Sequence, residues 1–314
     1  MRKRALITGP FGKIGEAVIK DLLQYSDFEI IGLSHLTQEK ESFWKDYHYN
    51  ANILDFSELK NVVLDFAPDF IINAAGFTDV DLAEEERAFC WKMNVDLVSR
   101  LTRFAAILDS HLVHISSDYI FDGQNGPYDE QALPSPINFY GKSKLASENT
   151  LHTVEIRKTI IRTNFLYGTN SLGSSTFINK LLTSLQRNQK IEVVNSLFTN
   201  PVLTTDIAYG IRKILESEYT GIVNFAGPDY LSRYQIALKT AEVFGLDSKL
   251  ILPIEIEEYP LKAIRPIRAG LISSKASRDL KLGFQGLEEG LKEFKSQLKI
   301  HEAVNNPKNS LNFN

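Results

Sequence analysis

The chain has 314 residues, of which 43% are hydrophobic and 24% charged, and its formal net charge is −4. That is the balance of a globular protein with enough chain for a sizeable core. No basic block marks a nucleic-acid footprint, and no apolar run approaches the roughly 20 residues of a membrane span. A single cysteine, Cys90, excludes an internal disulfide and a cysteine-built metal site, and no histidine spacing of the HExxH kind suggests another metal site. The basic start Met1-Arg2-Lys3-Arg4 runs into Ala5-Leu6-Ile7 and then a glycine, too short an apolar stretch for a signal peptide, so the cytoplasm is the expected location.

In chain order, short apolar runs alternate with helical periodicity. Strands are expected at residues 5–7, 29–33, 70–72, 112–116 and 159–162, with a late strand at 221–225 returning to the same sheet. Helices are expected at 14–25, 57–66, 89–108, 140–151, 177–187, 234–244 and 287–298, the sixth closed by Gly245. Cys90 should pack inside its helix near Trp91. The alternation predicts an α/β fold, a Rossmann doubly wound parallel sheet with a smaller C-terminal substrate-binding lobe. The expected division is a dinucleotide-binding domain at 1–165 and 202–226, a substrate-binding lobe at 166–201 and 227–300, and a flexible tail at 301–314.

Glycines at 9, 12 and 15 follow the first strand directly in Thr8-Gly9-Pro10-Phe11-Gly12-Lys13-Ile14-Gly15. Gly9 permits a tight turn, Gly12 lets backbone approach a pyrophosphate, and Gly15 allows close helix packing. The helix N-terminus favours the negative charge, so this loop, with Phe11, Lys13 and Ile14, is the expected cofactor cradle. The second strand ends in Leu33-Ser34-His35, where an acidic residue would bind the ribose hydroxyl of NAD. Ser34 and His35 can instead receive a 2′-phosphate, so NADPH is expected and NADH stays open. Small residues in Asn73-Ala74-Ala75-Gly76 leave room for the cofactor beside a strand end. Asp55-Phe56 can cradle an adenine, and Asp55 can supply the N-cap of the 57–66 helix, two roles that are compatible.

Ser116-Ser117-Asp118-Tyr119 ends another strand, where a hydroxyl can orient a substrate carbonyl. Tyr140 and Lys144 follow, four residues apart and therefore on one helical face. An ammonium beside a phenol is expected to lower the phenol pKa and suit it to proton transfer near neutrality. Tyr209 and Lys213 repeat the spacing without a serine-rich strand end, and read as an ordinary helix face starting near Thr204-Thr205-Asp206. His114 with a serine and Asp118 does not make a hydrolase triad, because no GxSxG elbow exists.

These parts resemble the extended short-chain dehydrogenase/reductases. Within them, Asn73-Ala-Ala-Gly-Phe-Thr-Asp-Val-Asp81, Val113-His-Ile-Ser-Ser-Asp-Tyr-Ile-Phe121, Ser135-Pro-Ile-Asn-Phe-Tyr-Gly-Lys-Ser-Lys-Leu-Ala-Ser-Glu148 and Arg162-Thr-Asn-Phe-Leu-Tyr-Gly168 are similar to the dTDP-4-dehydrorhamnose reductase family. The resemblance spans roughly residues 5 to 295 and is strongest over the first 170. It implies Tyr140 as proton donor, Lys144 as its tuner and nicotinamide-ribose ligand, Ser117 as the carbonyl-binding hydroxyl, and Asn94 as the helix asparagine that positions Lys144 through water. It implies substrate contacts from Ser117, Asp118, Tyr119, Val80, Asn164, Phe165 and Arg265, although Arg265 reads equally as a surface arginine. The implied substrate is a nucleotide-linked 4-keto-6-deoxy sugar, and the assembly has room for a homodimer. Two positions depart from the family pattern. Asn195-Ser-Leu-Phe-Thr-Asn-Pro201 replaces a family stretch that shapes the sugar-nucleotide site, and Phe165 replaces a tryptophan. An epimerase with retained cofactor, and a regulatory subunit similar to the beta subunit of methionine adenosyltransferase, are the competing functions.

Overall fold

A computed structural model of the chain describes residues 2–35, 46–169 and 176–305, with side chains to residue 298. Its main sheet has seven parallel strands: β1 (Arg4–Thr8), β2 (Glu29–Ser34), β3 (His48–Asn50), β4 (Phe70–Asn73), β5 (His111–Ser117), β6 (Lys158–Thr163) and a last strand, Gly221–Phe225. From one edge the order is last strand, β6, β5, β4, β1, β2, β3. The chain builds outward from β1 to β3, then crosses to β4 and builds outward the other way. The switch therefore falls between β1 and β4, and in such sheets ligands bind outside the carboxyl ends of the strands at that point. Register aligns those ends: Thr8 lies beside Leu33 and Asn73, Asn73 beside His114, and Ser117 beside Thr163.

The central strands are apolar throughout because both faces are covered. Ala5 and Ile7 pack with Val18, Ile19 and Leu22 of helix α1 (Lys13–Tyr25) and with Ile207 and Ile211. Leu6 points the other way, onto Leu59 and Val63 of helix α2 (Phe56–Phe66) and Leu97 and Leu101. Each such side chain contributes about 1.5–3 kcal/mol on burial.

The expected elements appear with three differences. β3 has no apolar signal: it is three residues long and mostly exposed. The helical stretch at 89–108 is interrupted, running Arg87–Trp91, then a π turn at Lys92–Asp96, then Leu97–Leu108. The helix Thr204–Ser217 starts where expected. Its N-cap is Leu203, and the Asp206 carboxylate accepts from the backbone and side chain of Gln285. The final helix, Leu287–Asn305, continues into the segment expected as a tail, and 306–314 lie outside the described residues.

Beyond β6, strands Ile191–Val194 and Ile251–Ile254 pair in parallel, covered by the helices Phe177–Gln186 and Arg233–Phe244. Two short pairings matter for the site. Leu166–Tyr167 pairs with Val202–Leu203, and Phe198–Thr199 pairs with Leu231–Ser232. They bring residues 163–166 and 197–199 to one cavity. Among the described residues no helix is long and apolar enough to cross a membrane, and no cluster of three or more His, Cys, Asp or Glu could hold a metal ion.

Candidate active site

A cavity of about 350 Å³ opens at the carboxyl ends of β4, β5 and β6. Ala74 to Gly76, Ile115 to Tyr119 and Thr163 to Leu166 form one side of its lining. Tyr140 and Lys144 come from the helix Phe139–His152, and Leu197 to Thr199, Arg233 and Pro266 come from the later chain.

The Tyr140 helix is fixed at its start by Asn138, whose side chain accepts from Gly141 N at 2.8 Å and donates to Ile264 O at 2.9 Å. Helical spacing then places Tyr140 and Lys144 on one cavity wall, as expected, with both nearly buried. Their electrostatics run against the expectation. Burial pushes the Tyr140 phenol well above its ordinary value, opposed by its hydrogen bond with Ser117. Burial also pulls Lys144 down to about 8, opposed by the charge of Glu148. The ammonium donates to Ile115 O at 2.6 Å. Removing both groups from water penalises the charged form of each, and this outweighs the attraction read from spacing alone. The phenol is therefore fully protonated at neutral pH, the state of an acid about to donate.

Ser117 also accepts from Tyr119 N at 3.2 Å, so it caps the turn Asp118–Ile120 as well as facing Tyr140. Asp118 is buried beside it, accepts from Ser117 Oγ at 3.3 Å and Gly270 N at 3.2 Å, and is pushed up to about 7 by burial. The Tyr119 ring meets the Tyr140 ring edge-on at 5.7 Å. Val80, Asn164 and Phe165 line the same cavity.

Asn94 sits in the π turn, a feature that often marks functional sites. Its side chain accepts from Phe77 N at 2.8 Å and donates to Ser143 Oγ at 2.9 Å. Among the described residues it reaches Lys144 only indirectly, by fixing the Phe77 backbone against the Tyr140 helix. Cys90 is buried one turn earlier, as expected, against Ser143 and Asn94.

In the glycine loop, Gly9 has φ +68°, a conformation open to glycine at little cost. A Cβ on Gly15 would stand 2.1 Å from Gly9 O, so the loop closes on α1 only with glycine there. Gly12 is the N-cap of α1 and provides no side-chain cap, which leaves the first helical N–H groups, at Lys13, Ile14 and Gly15, for a ligand. Ile14 lines the cavity, and burial lowers the pKa of Lys13.

Other expected contacts are placed differently. The Phe11 ring is buried in the core and packs near His48 at 4.9 Å. Asn73 accepts from Thr8 Oγ1 at 2.6 Å and meets His114 Nδ1 at 3.1 Å, so its amide is structural while Ala74 and Ala75 face the cavity. Asp55 is an N-cap, accepting from Ser57 N and Glu58 N, and Phe56 stacks on Phe104 away from the cavity. Ser34 is buried at the end of β2, and His35 is exposed. Arg265 is neither a surface arginine nor a lining residue. Its Nη2 donates to Asp81 Oδ2 at 2.7 Å, and its buried Nη1 has no partner. His114 bonds Ser147 Oγ and is pushed well below its ordinary pKa by burial, which fits no triad. Tyr209 and Lys213 lie outside the cavity, with Lys213 paired to Glu216 at 2.7 Å.

Sequence reasoning missed Arg233. Its guanidinium lies over the rings of Phe165 and Phe177, at 5.7 and 5.8 Å, and lines the cavity with no carboxylate partner among the described residues. No local signal could have found it, since both rings lie more than fifty residues earlier in the chain. Three further buried polar atoms in the lining lack a partner: Thr163 Oγ1 and both amide atoms of Asn164. A buried unpaired amide is costly, and this one lines the cavity, where a polar ligand has room to pair with it.

A parallel sheet of this order, with its cavity at the strand ends and a tyrosine one turn before a lysine on its rim, puts the chain among the extended short-chain dehydrogenase/reductases. Within them it belongs to the family described as the RmlD substrate binding domain, whose model matches residues 3–300. The crystal structure of dTDP-4-dehydrorhamnose reductase from Bacillus anthracis str. Ames in complex with NADP is similar, with a TM-score of 0.83 and 26% identity over 95% of this chain and 100% of that one. Methionine adenosyltransferase 2 subunit beta of Xenopus laevis is 30% identical over 81% of this chain and 76% of its own. The spore coat polysaccharide biosynthesis protein SpsK of Bacillus subtilis (strain 168) is 28% identical over 93% of this chain and 96% of its own.

Proposed function

We propose that the chain is an oxidoreductase that reduces a 4-keto-6-deoxy sugar carried on a nucleotide, with NADPH preferred and NADH as the alternative. The observation that carries this is the buried Tyr140 on the cavity wall, beside Ser117 and one turn from Lys144. The uncapped N-terminus of α1 and the closely packed glycine loop fit a dinucleotide pyrophosphate. When bound, the nicotinamide supplies the hydride for the carbonyl carbon.

The rest of the reaction falls to the chain's own residues. Ser117 holds the carbonyl oxygen, and Tyr140 gives that oxygen its proton as negative charge develops, so a ketone becomes a secondary alcohol. Lys144, with its pKa near 8, is mostly ammonium at neutral pH and stabilises the phenolate left behind. The unpaired Asn164 amide suits a sugar hydroxyl, and Arg233 suits the diphosphate. The similarity to dTDP-4-dehydrorhamnose reductase and to a polysaccharide biosynthesis protein supports the sugar class.

The test is oxidation of NADPH and of NADH against a panel of 4-keto-6-deoxy sugars on different nucleotides. Turnover with at least one member is expected, and none with any member would count against the proposal. The similarity to methionine adenosyltransferase subunit beta favours a second reading, a regulatory subunit. Co-purification with an adenosyltransferase catalytic subunit, together with no turnover across the panel, would select it.

A further inference from the structure

Three consecutive residues at the end of β5 meet three successive turns of the Tyr140 helix. Ser117 lines the cavity beside Tyr140, Ile115 O accepts from Lys144 Nζ at 2.6 Å, and Ser116 Oγ donates to Glu148 Oε1 at 2.5 Å. Tyr140, Lys144 and Glu148 are four residues apart in turn, so they form one stripe on the helix. Glu148 is only 2% exposed. Arg162 of β6 grips it at two points, Nε to Oε1 at 3.1 Å and Nη2 to Oε2 at 2.8 Å. Arg162 is itself 3% exposed, lies over the Phe121 ring at 5.5 Å, and donates from Nη1 to Glu130 O at 3.3 Å.

Neither Glu148 nor Arg162 has a part in the proposed reaction. Nor is stability a sufficient reason for them. Desolvating two charges roughly cancels their attraction, and apolar replacements of buried pairs often serve as well or better. Their placement behind Lys144 supplies a different reason.

We propose that Glu148, oriented by Arg162 and Ser116, is a positioning residue that keeps Lys144 charged and in place beside Tyr140. The other groups facing Lys144 do not take this part. His114 from β5 is neutral. The Cys90 thiol, from the helix Arg87–Trp91, is raised by burial and stays protonated. Tyr140 is protonated, Asp118 is half-protonated near neutrality, and Arg162 carries the same sign as the lysine. Glu148 is the paired, buried carboxylate on the lysine's own face, and its charge opposes the burial that pulls Lys144 down.

The inference rests on reading Tyr140 and Lys144 as the proton-transfer pair, but its test needs no substrate. The full chain is prepared with ¹³C-labelled lysine, and the Lys144 Cε signal, assigned by its loss in Lys144→Met, is titrated with pH. In Glu148→Gln the midpoint should fall by about one pH unit or more. That variant leaves Arg162 buried without its partner, so Glu148→Gln combined with Arg162→Met is titrated too, and a fall in the same direction is expected. An unmoved Lys144 midpoint in either folded variant, even with a lower melting temperature, would show Glu148 to be merely structural and overturn the proposal. A moved midpoint in a chain that reduces no sugar would leave this inference standing and remove the proposed function.

Discussion

The glycine loop allows two alanine substitutions three residues apart to be told apart in advance. At Gly15 an added Cβ would sit 2.1 Å from Gly9 O, 2.9 Å from Gly9 C and 3.1 Å from Pro10 Cα, all backbone atoms that cannot turn aside. Overpacking of this kind costs about 1–3 kcal/mol, with the upper end fitting a clash against backbone. Alanine returns about 1 kcal/mol of helix propensity inside α1, which leaves a net loss of about 2 kcal/mol. At Gly12 the nearest atom is Gly9 O at 3.2 Å and φ is −71°, which alanine accepts readily. Alanine is a poorer N-cap than glycine, so stability should fall by about 0.5–1 kcal/mol. Gly12 is exposed at the helix N-terminus, however, where a methyl group stands between the backbone N–H groups and a pyrophosphate. Calorimetric unfolding should show Gly15→Ala several degrees less stable and Gly12→Ala lowered by less than half as much. NADPH fluorescence titration should show Gly12→Ala at least about tenfold weaker, or about 1.4 kcal/mol. A Gly12→Ala protein that binds NADPH normally would refute the assignment of this loop to the pyrophosphate, and an undisturbed Gly15→Ala would refute the packing argument.

Two further outcomes follow from the site. The rate of reduction should fall as pH rises through about 8, where Lys144 loses its proton. The same lowered pKa makes this group's contribution to folding stability rise between about 8 and the ordinary lysine value of 10.5, because the unfolded chain there holds the extra proton. A rate profile flat across pH 8 would contradict the role given to Lys144. Arg233→Ala should raise KM for the sugar nucleotide by about tenfold or more with kcat and NADPH affinity little changed, the signature of lost ground-state binding, and an unchanged KM would remove Arg233 from the substrate site.

Much of the fold is legible in the sequence because the strands are covered on both faces and read as short apolar runs, as at Ala5-Leu6-Ile7 and Phe70-Ile71-Ile72. β3 escapes this reading because its three edge residues pack against little. The pairing of Ile191–Val194 with Ile251–Ile254 escapes it because the partners lie far apart in the chain. Asp55 shows local chemistry meeting one of its two expected uses: its carboxylate caps the α2 backbone. The Tyr140 and Lys144 stripe is legible from spacing, but the direction of its electrostatics is not, since that depends on burial and on Ile115 O. Arg233 over Phe165, and Arg265 against Asp81, are juxtapositions made only by the folded chain. The stretch Asn195–Pro201, which departs from the family pattern, is where the cavity gains Leu197, Phe198 and Thr199, and where Asn200 Oδ1 accepts from Leu271 N at 2.9 Å.

The proposed reaction turns on Tyr140 donating the proton in a carbonyl reduction. It is tested most directly by single-turnover NADPH oxidation in Tyr140→Phe and the unaltered chain, using the best sugar of the panel. The account predicts a folded variant with unchanged NADPH affinity and a rate lower by about 10²–10⁴-fold. Reduction at close to the original rate would contradict it.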